Sequence, residues 1–137
     1  MAKFRFKDYK IIDASIHLDP SVDINKKMNV EITPQSFTLD EDHIYKLQID
    51  TKVSNTDNQF SVFVSIIGTF EFDSDLTAES KDKFFRINAP ALLFPYIRAY
   101  ISTLTSLSGM VPVILPTINM SEMMKKIEEK KFYKSIQ

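Results

Sequence analysis

The sequence predicts an α+β fold, a four-stranded antiparallel sheet followed by two C-terminal helices. Three observations lead to this prediction. Apolar residues alternate with polar ones over most of residues 4–72, which is the period of a strand. Residues 92–108 then repeat apolar side chains at spacings of three and four, which is the period of a helix. A length of 137 residues leaves room for one domain, so we expect residues 1–137 to form a single unit.

The first strand is expected from Phe4 to Leu18, either long or interrupted. Its alternating apolar positions are Phe4, Phe6, Ile12, Ala14, Ile16 and Leu18. The second alternation begins at Met28, Val30 and Ile32. Because proline has no N–H to donate, Pro34 limits this second strand to an edge or an end of the sheet.

The third strand has the clearest pattern. Its apolar positions, together with one threonine, are Tyr45, Leu47, Ile49, Thr51 and Val53, while Lys46, Gln48, Asp50 and Lys52 face the other way. One face is therefore expected to be buried and the other wet, as in an antiparallel sheet.

The fourth strand is expected over residues 60–72. It is apolar on both sides, at Val62 and Val64 as well as at Phe63 and Ile67, so we expect it to be covered on both faces. Residues 55–58 form a turn before it. Strands joined in this way pair with their chain neighbours, which predicts a four-stranded meander.

A charged loop is expected over residues 73–83, followed by a long helix over about 89–108. Asn88 is a candidate N-cap, and Gly109 stands where a left-handed residue ends a helix. Pro95 predicts a kink or a late start. The remaining residues 109–137 are expected to form a loop and a second helix from Ser121 to Ile136.

Composition excludes several classes of function. The net charge of −1 gives no general attraction to nucleic acid or to an anionic membrane. The absence of cysteine and the unrelated contexts of His17 and His43 argue against a metal site. Two glycines are too few for a phosphate-binding loop, and no nucleophile–base pair is apparent. We therefore expect a protein that is not an enzyme. The N-terminus, MAKFRFKDYK, has no apolar stretch of the kind that a secretory signal needs, so we expect the protein to act in the cytoplasm.

The long helix predicts an oligomer. Between Ile87 and Ser121 the only charged residue is Arg98, whereas the exposed face of a helix in a single domain normally carries charge. Pro95, Gly109, Pro112 and Pro116, together with many hydroxyl groups, argue against a membrane span. The favoured interpretation is a helix with its sheet on one side and another subunit on the other. The predicted interface residues are Leu93, Ile97, Tyr100, Ile101, Leu104, Thr105 and Ser108.

Two segments carry a family resemblance. Residues 93–102 read LFPYIRAYIS, and residues 109–120 read GMVPVILPTINM. The first resembles the hallmark helix of the SecB family, which typically reads LFPYAR, and the second resembles the apolar, proline-containing segment that follows it. The resemblance implies a dimer of dimers with the long helix between the dimers. It also implies an ATP-independent chaperone without a cofactor, which holds unfolded polypeptides in apolar grooves.

A groove that accepts many sequences needs adaptable apolar side chains, for which methionine and aromatic residues are suited. The candidate client-binding residues are Phe37, Phe60, Met110, Val111, Val113, Leu115, Ile118, Met120, Met123 and Met124. For the methionines and for Val111, Val113, Leu115 and Ile118, the alternative is that they pack beneath the second helix, whereas Phe37 and Phe60 would contribute aromatic contacts from the sheet.

The sequence departs from the family at its motor-docking surface. Export chaperones of this family deliver clients to the SecA motor through an acidic sheet surface. The first acidic position falls at Asp13, but the next two fall at His17 and Val64, and the tail at 130–137 is basic. Complementarity with a basic partner is therefore expected to be poor.

Three functions stay open at this point. The first is the holding of unfolded polypeptides, which includes the option of preprotein export with SecA as a partner. The second function is that of a dedicated chaperone for one antitoxin of a toxin–antitoxin module. The third is that of a structural or binding oligomer without chaperone activity.

Overall fold

The computed structural model describes residues 3–22, 27–116, 119, 122, 124 and 125. Its strands are β1 (Phe4–Leu18), β2 (Met28–Leu39), β3 (Ile44–Asn55) and β4 (Phe60–Phe72). All four form one antiparallel sheet in the order β1-β4-β3-β2. The predicted four-stranded antiparallel sheet is confirmed, and β2 with its Pro34 is an edge strand, as expected.

The strand order differs from the predicted meander. Strands β2, β3 and β4 lie side by side, but β1 pairs with β4 and is two strands away from β2. The prediction is therefore wrong for β1. Strand β4 is the most apolar strand, and its place between β3 and β1 gives it a hydrogen-bonded neighbour along both backbone edges, which suits a buried strand.

Strand β1 contains two irregularities that the alternation did not reveal. Its register with β4 shifts between Phe6 and Asp8 and again between Ile11 and Asp13. Each shift reverses which side chains face the core. Ile12, predicted to share a face with Ile16, lies in the second shift and is 53% exposed.

One face of the sheet carries the core. The five positions predicted to face inward along β3, from Tyr45 to Val53, are all buried. On β4 the same face is buried from Phe60 to Phe72. On its other face Phe63 and Ile67 are half-buried, so the described part of the chain does not fully cover both faces of β4.

A continuous helical stretch follows the sheet. It consists of α1 (Ala78–Lys83), a π-helical turn (Phe84–Asn88) and α2 (Ala89–Leu107). The charged loop predicted at 73–83 therefore contains a short helix, whose N-cap is Thr77, since its hydroxyl accepts from the Ser80 N–H at 3.1 Å. Asn88 is not a cap, because its own backbone is already helical and its side chain makes no cap hydrogen bond.

Helix α2 continues through Pro95 and ends at a Schellman motif. Gly109 has a φ of 86°, which favours glycine, and it occupies the predicted left-handed position. Its N–H donates to the Ser106 carbonyl, and the Met110 N–H donates to the Thr105 carbonyl, both at 3.2 Å. The motif turns the chain back towards the sheet.

The second predicted helix, from Ser121 to Ile136, lies mostly outside the described residues. Glu122, Met124 and Lys125 are described, and all three are helical. The basic tail lies outside them too. As for membrane insertion, none of the helices formed by described residues has the length and apolar character needed to cross a bilayer.

Candidate functional site

An apolar groove lies at the β2 side of the sheet. Its floor is formed by Val30 and Val53, which are cross-strand partners on β2 and β3, with Met28 beside them. Its wall is the segment 110–116 that follows the Schellman motif. The volume of this space, which we call the edge groove, is about 490 Å³. None of the side chains lining it is charged, so its chemistry suits apolar groups.

The local sequence explains the shape of the wall. Pro112 and Pro116 favour extended backbone and have no N–H groups. Leu115 is 1% exposed and anchors the segment in the core, whereas Val111 and Ile114 are 64% and 74% exposed. The wall therefore has one apolar side against the fold and another towards solvent.

The structure separates the predicted client-binding residues into groups. Met110, Val111, Val113 and Leu115 line the edge groove. Three others, Ile118, Met120 and Met123, lie outside the described residues.

The remaining three are elsewhere. Phe60 and Met124 are buried in the hydrophobic core, which corrects the prediction that their side chains are available to a client. Phe37 is 43% exposed. It is the cross-strand partner of Lys46 and therefore lies on the sheet face opposite the groove, which corrects its predicted place in it.

The floor of the edge groove was not among the client-binding residues predicted from the sequence. Met28 and Val30 were recognised as apolar positions of a strand, and Val53 as a buried position of the next. What brings them to the wall is the register of β2 with β3, together with the chain reversal at Gly109. The only signal in the sequence was the glycine that marks the reversal.

A second apolar groove, of about 360 Å³, lies at the β1 side between the sheet and α2. We call it the tyrosine groove, and its lining residues are Tyr9, Ile11, Tyr96, Ala99, Tyr100 and Thr103. The rings of Tyr9 and Tyr96 are stacked with their centroids 4.3 Å apart. Both of these tyrosines are 40% exposed, so the groove opens onto the outer surface of α2.

Four of the predicted interface residues point into the chain's own core. Leu93, Ile97, Ile101 and Thr105 are each 0% exposed, because α2 lays this stripe on the sheet. This corrects the prediction that they contact a second subunit. Tyr100, Leu104 and Ser108 are half-buried.

The outward side of α2 carries the more exposed apolar side chains. Leu92 is 43% exposed and Leu107 is 82% exposed. Together with Tyr96 and Ala99 they form the surface that a partner helix can reach.

The predicted motor-docking positions lie on two different faces of the sheet. Asp13 is exposed on the outer face, where its strand partner is Ser65. The Ser65 hydroxyl donates to Asp50, which also accepts from the Gln48 amide. Val64 is fully buried and faces the core, so no side chain at that position can take part in docking.

Among the described residues, no group of three or more histidine, aspartate and glutamate side chains is placed to hold a metal ion. The two apolar grooves are therefore the candidate sites.

The chain is similar to known proteins over most of its length. The family model of preprotein translocase subunit SecB matches residues 11–131. An uncharacterized protein from Methanocaldococcus jannaschii is 36% identical over 122 residues, which are 87% of this chain and 73% of that protein. The protein-export protein SecB of Orientia tsutsugamushi strain Boryong is 28% identical over 108 residues, which are 77% of this chain and 64% of that protein.

Two solved structures share the fold. A SecB-like chaperone of Mycobacterium tuberculosis, in complex with a ChAD peptide from the HigA1 antitoxin, gives a TM-score of 0.70 at 14% identity. The match covers 85% of this chain and 88% of that one. A protein of unknown function from Streptococcus agalactiae gives a TM-score of 0.52 at 14% identity, covering 83% and 97% of the two chains.

Proposed function

The chain belongs to the SecB family, and we propose that it is a non-enzymatic chaperone that holds unfolded polypeptides in the edge groove. The observation that carries the proposal is the apolar lining of this groove beside an edge strand. Unfolded chains expose apolar side chains of many shapes together with an unpaired backbone. A site for them needs apolar surface that adapts and a place for main-chain hydrogen bonds.

Both requirements have a counterpart in the edge groove. Met28 and Met110 line the groove, and methionine adapts to different partners because it is unbranched and polarizable. Strand β2 is the last strand of the sheet, so alternate peptide groups face away from β3 along its free edge. An extended client segment would place apolar side chains in the groove and add its backbone to this edge.

The test is a measurement of aggregation. Several unrelated proteins are unfolded and diluted with the chain at stoichiometric ratios, without ATP, and light scattering is followed. We expect scattering to be suppressed and a labelled unfolded client to bind. If no client binds and no aggregation is suppressed, the chain is a structural or binding oligomer and the proposal is wrong.

A dedicated antitoxin chaperone is the second candidate. Two observations favour it over a general export role. The matched chaperone of Mycobacterium tuberculosis was solved with an antitoxin peptide, and the acidic docking surface here retains Asp13 while Val64 is buried. Binding to SecA and the range of clients separate the two. A dedicated chaperone protects one client and binds SecA weakly, whereas an export chaperone protects many and binds SecA well.

We also propose that the chain assembles as a dimer of dimers in the cytoplasm. The outward side of α2, with Leu92, Tyr96, Ala99 and Leu107, is the surface proposed for contact between subunits. Arg98 is the one charged residue of this helix. An apolar helix surface of this kind is typical of one that another subunit covers.

A further inference from the structure

Thr105 connects the wall of the edge groove to helix α2. Its hydroxyl donates to the carbonyl oxygen of Ile101 at 2.8 Å and accepts from the backbone N–H of Val113 at 2.9 Å. Its own carbonyl accepts from the Met110 N–H at 3.2 Å. One buried residue therefore holds the wall at two points, three residues apart.

The wall segment, residues 110–116, depends on Thr105 for its polar contacts with the rest of the described fold. Within the part of the chain that the structure describes, the hydrogen bonds that join residues 110–116 to the rest of the fold both end on Thr105. Pro112 and Pro116 have no N–H to offer. Leu115 supplies apolar anchoring, but apolar contact is not directional, so it does not fix the position of the backbone as a hydrogen bond does.

The geometry of Thr105 suits this role. A threonine hydroxyl on a helix commonly donates to the carbonyl four residues earlier, which restricts its χ1 angle. With the proton directed at Ile101, a lone pair of the same oxygen is left for Val113. Serine retains this chemistry, whereas valine keeps the shape of threonine and removes the acceptor.

We infer that Thr105 is the positioning residue that sets the place of the groove wall and through it the affinity for client, an inference that rests on the proposed chaperone function. Val113 stands at the middle of the wall. Without the Thr105 acceptor its N–H turns to water, and the segment loses its fixed distance from the floor at Val30 and Val53.

The test compares Thr105→Val, Thr105→Ser and a matched control, Thr69→Val, on the outer face of β4. Hydrogen exchange of the Val113 amide reports on the wall, and titration with a labelled unfolded protein reports on client affinity. From the usual strength of one hydrogen bond, we expect Thr105→Val to speed exchange and to weaken client binding by about three- to ten-fold. The oligomer mass should stay the same. Thr105→Ser should restore both readouts, and Thr69→Val should change neither.

Should Thr105→Val fail to fold, Thr105→Ala removes the same acceptor and keeps the Val113 amide, so the exchange measurement is still possible. Faster exchange with unchanged client affinity would overturn the inference and leave the chaperone proposal standing. Unchanged exchange would also overturn it. If the unsubstituted protein binds no client, the chaperone proposal fails, while the exchange measurement still decides whether Thr105 holds the wall.

Discussion

Gly68 and Leu93 lie so close together that a Cβ atom at position 68 would stand 2.9 Å from Cδ1 of Leu93. Glycine weakens the interior of a strand, so its presence in β4 needs a reason. The reason is the close approach of α2. Leu93 is fully buried over this position and belongs to the segment that resembles the family's hallmark helix.

Gly68→Ala is expected to destabilise the fold. The added methyl group overlaps Leu93, and overpacking of this kind costs about 1 to 3 kcal/mol. Urea unfolding measures the change, with Ser61→Ala on the other face of β4 as a control. Leu93→Val should partly rescue Gly68→Ala in a double-mutant cycle, and additive effects would contradict the contact.

Ile114→Asp is expected to weaken client holding without unfolding the chain. The side chain is 74% exposed, so a charge there should change the stability of the free protein little. The same charge would lose its water when an apolar client covers the wall, which weakens binding. Aggregation assays give the comparison with Leu39→Asp, which changes a 44% exposed leucine on the opposite face of the sheet. An equal loss of aggregation suppression in both variants would contradict the edge groove as the client site.

Ala99→Glu is expected to split the oligomer. Alanine and glutamate both favour helix, and Ala99 is exposed in the single chain, so the fold should be unaffected. A charge without a partner becomes costly only when a second subunit covers it. Light scattering measures the mass. Ala78→Glu, at the exposed start of α1, is the matched control, and an unchanged mass for Ala99→Glu would contradict an interface on this side of α2.

Tyr45 predicts a loss of stability at high pH. Burial raises the pKa of Tyr45 to about 12, above its ordinary value. Between roughly pH 10 and pH 12 the unfolded chain therefore loses this proton before the folded chain does, so the free energy of unfolding falls as pH rises. The loss reaches about 2 to 3 kcal/mol by roughly pH 12.

Comparing urea unfolding of the wild-type chain and of Tyr45→Phe from pH 8 upward isolates this effect. The phenylalanine variant should show a shallower decline above roughly pH 10, because its ring has no proton to lose. Identical curves would mean that Tyr45 ionises as easily in the folded chain as in the unfolded one.

Strand β3 was predictable residue by residue, because its buried face reads Tyr45 to Val53 in an unbroken period of two. Strand β1 was predictable in extent but not in phase. Its two register shifts arise from pairing with β4, a strand more than forty residues away in sequence. An interruption of this kind leaves little local signal, so Ile12 was assigned to the wrong side.

The limits on predicting α2 are of another kind. Its apolar period identifies a buried stripe but not the surface that buries it, so Leu93, Ile97 and Ile101 were assigned to a partner instead of the sheet. Thr105 resembled one more small hydroxyl residue on a helix. Its role depends on Val113, which reaches it only after the chain reverses at Gly109. The periodicity of α2 does not predict how far, or in which direction, the chain runs after it reverses at Gly109.

The proline in β2 has a consequence for how copies of this chain meet one another. The pairing of β2 with β3 runs through Pro34 without a shift, which places the missing N–H on the free edge. A second copy adding its own strand there would find the hydrogen-bond ladder broken at its centre. Pro34 therefore opposes the edge-to-edge pairing by which sheets grow into fibres. The shorter stretches of β2 on either side of it can still pair with a short strand.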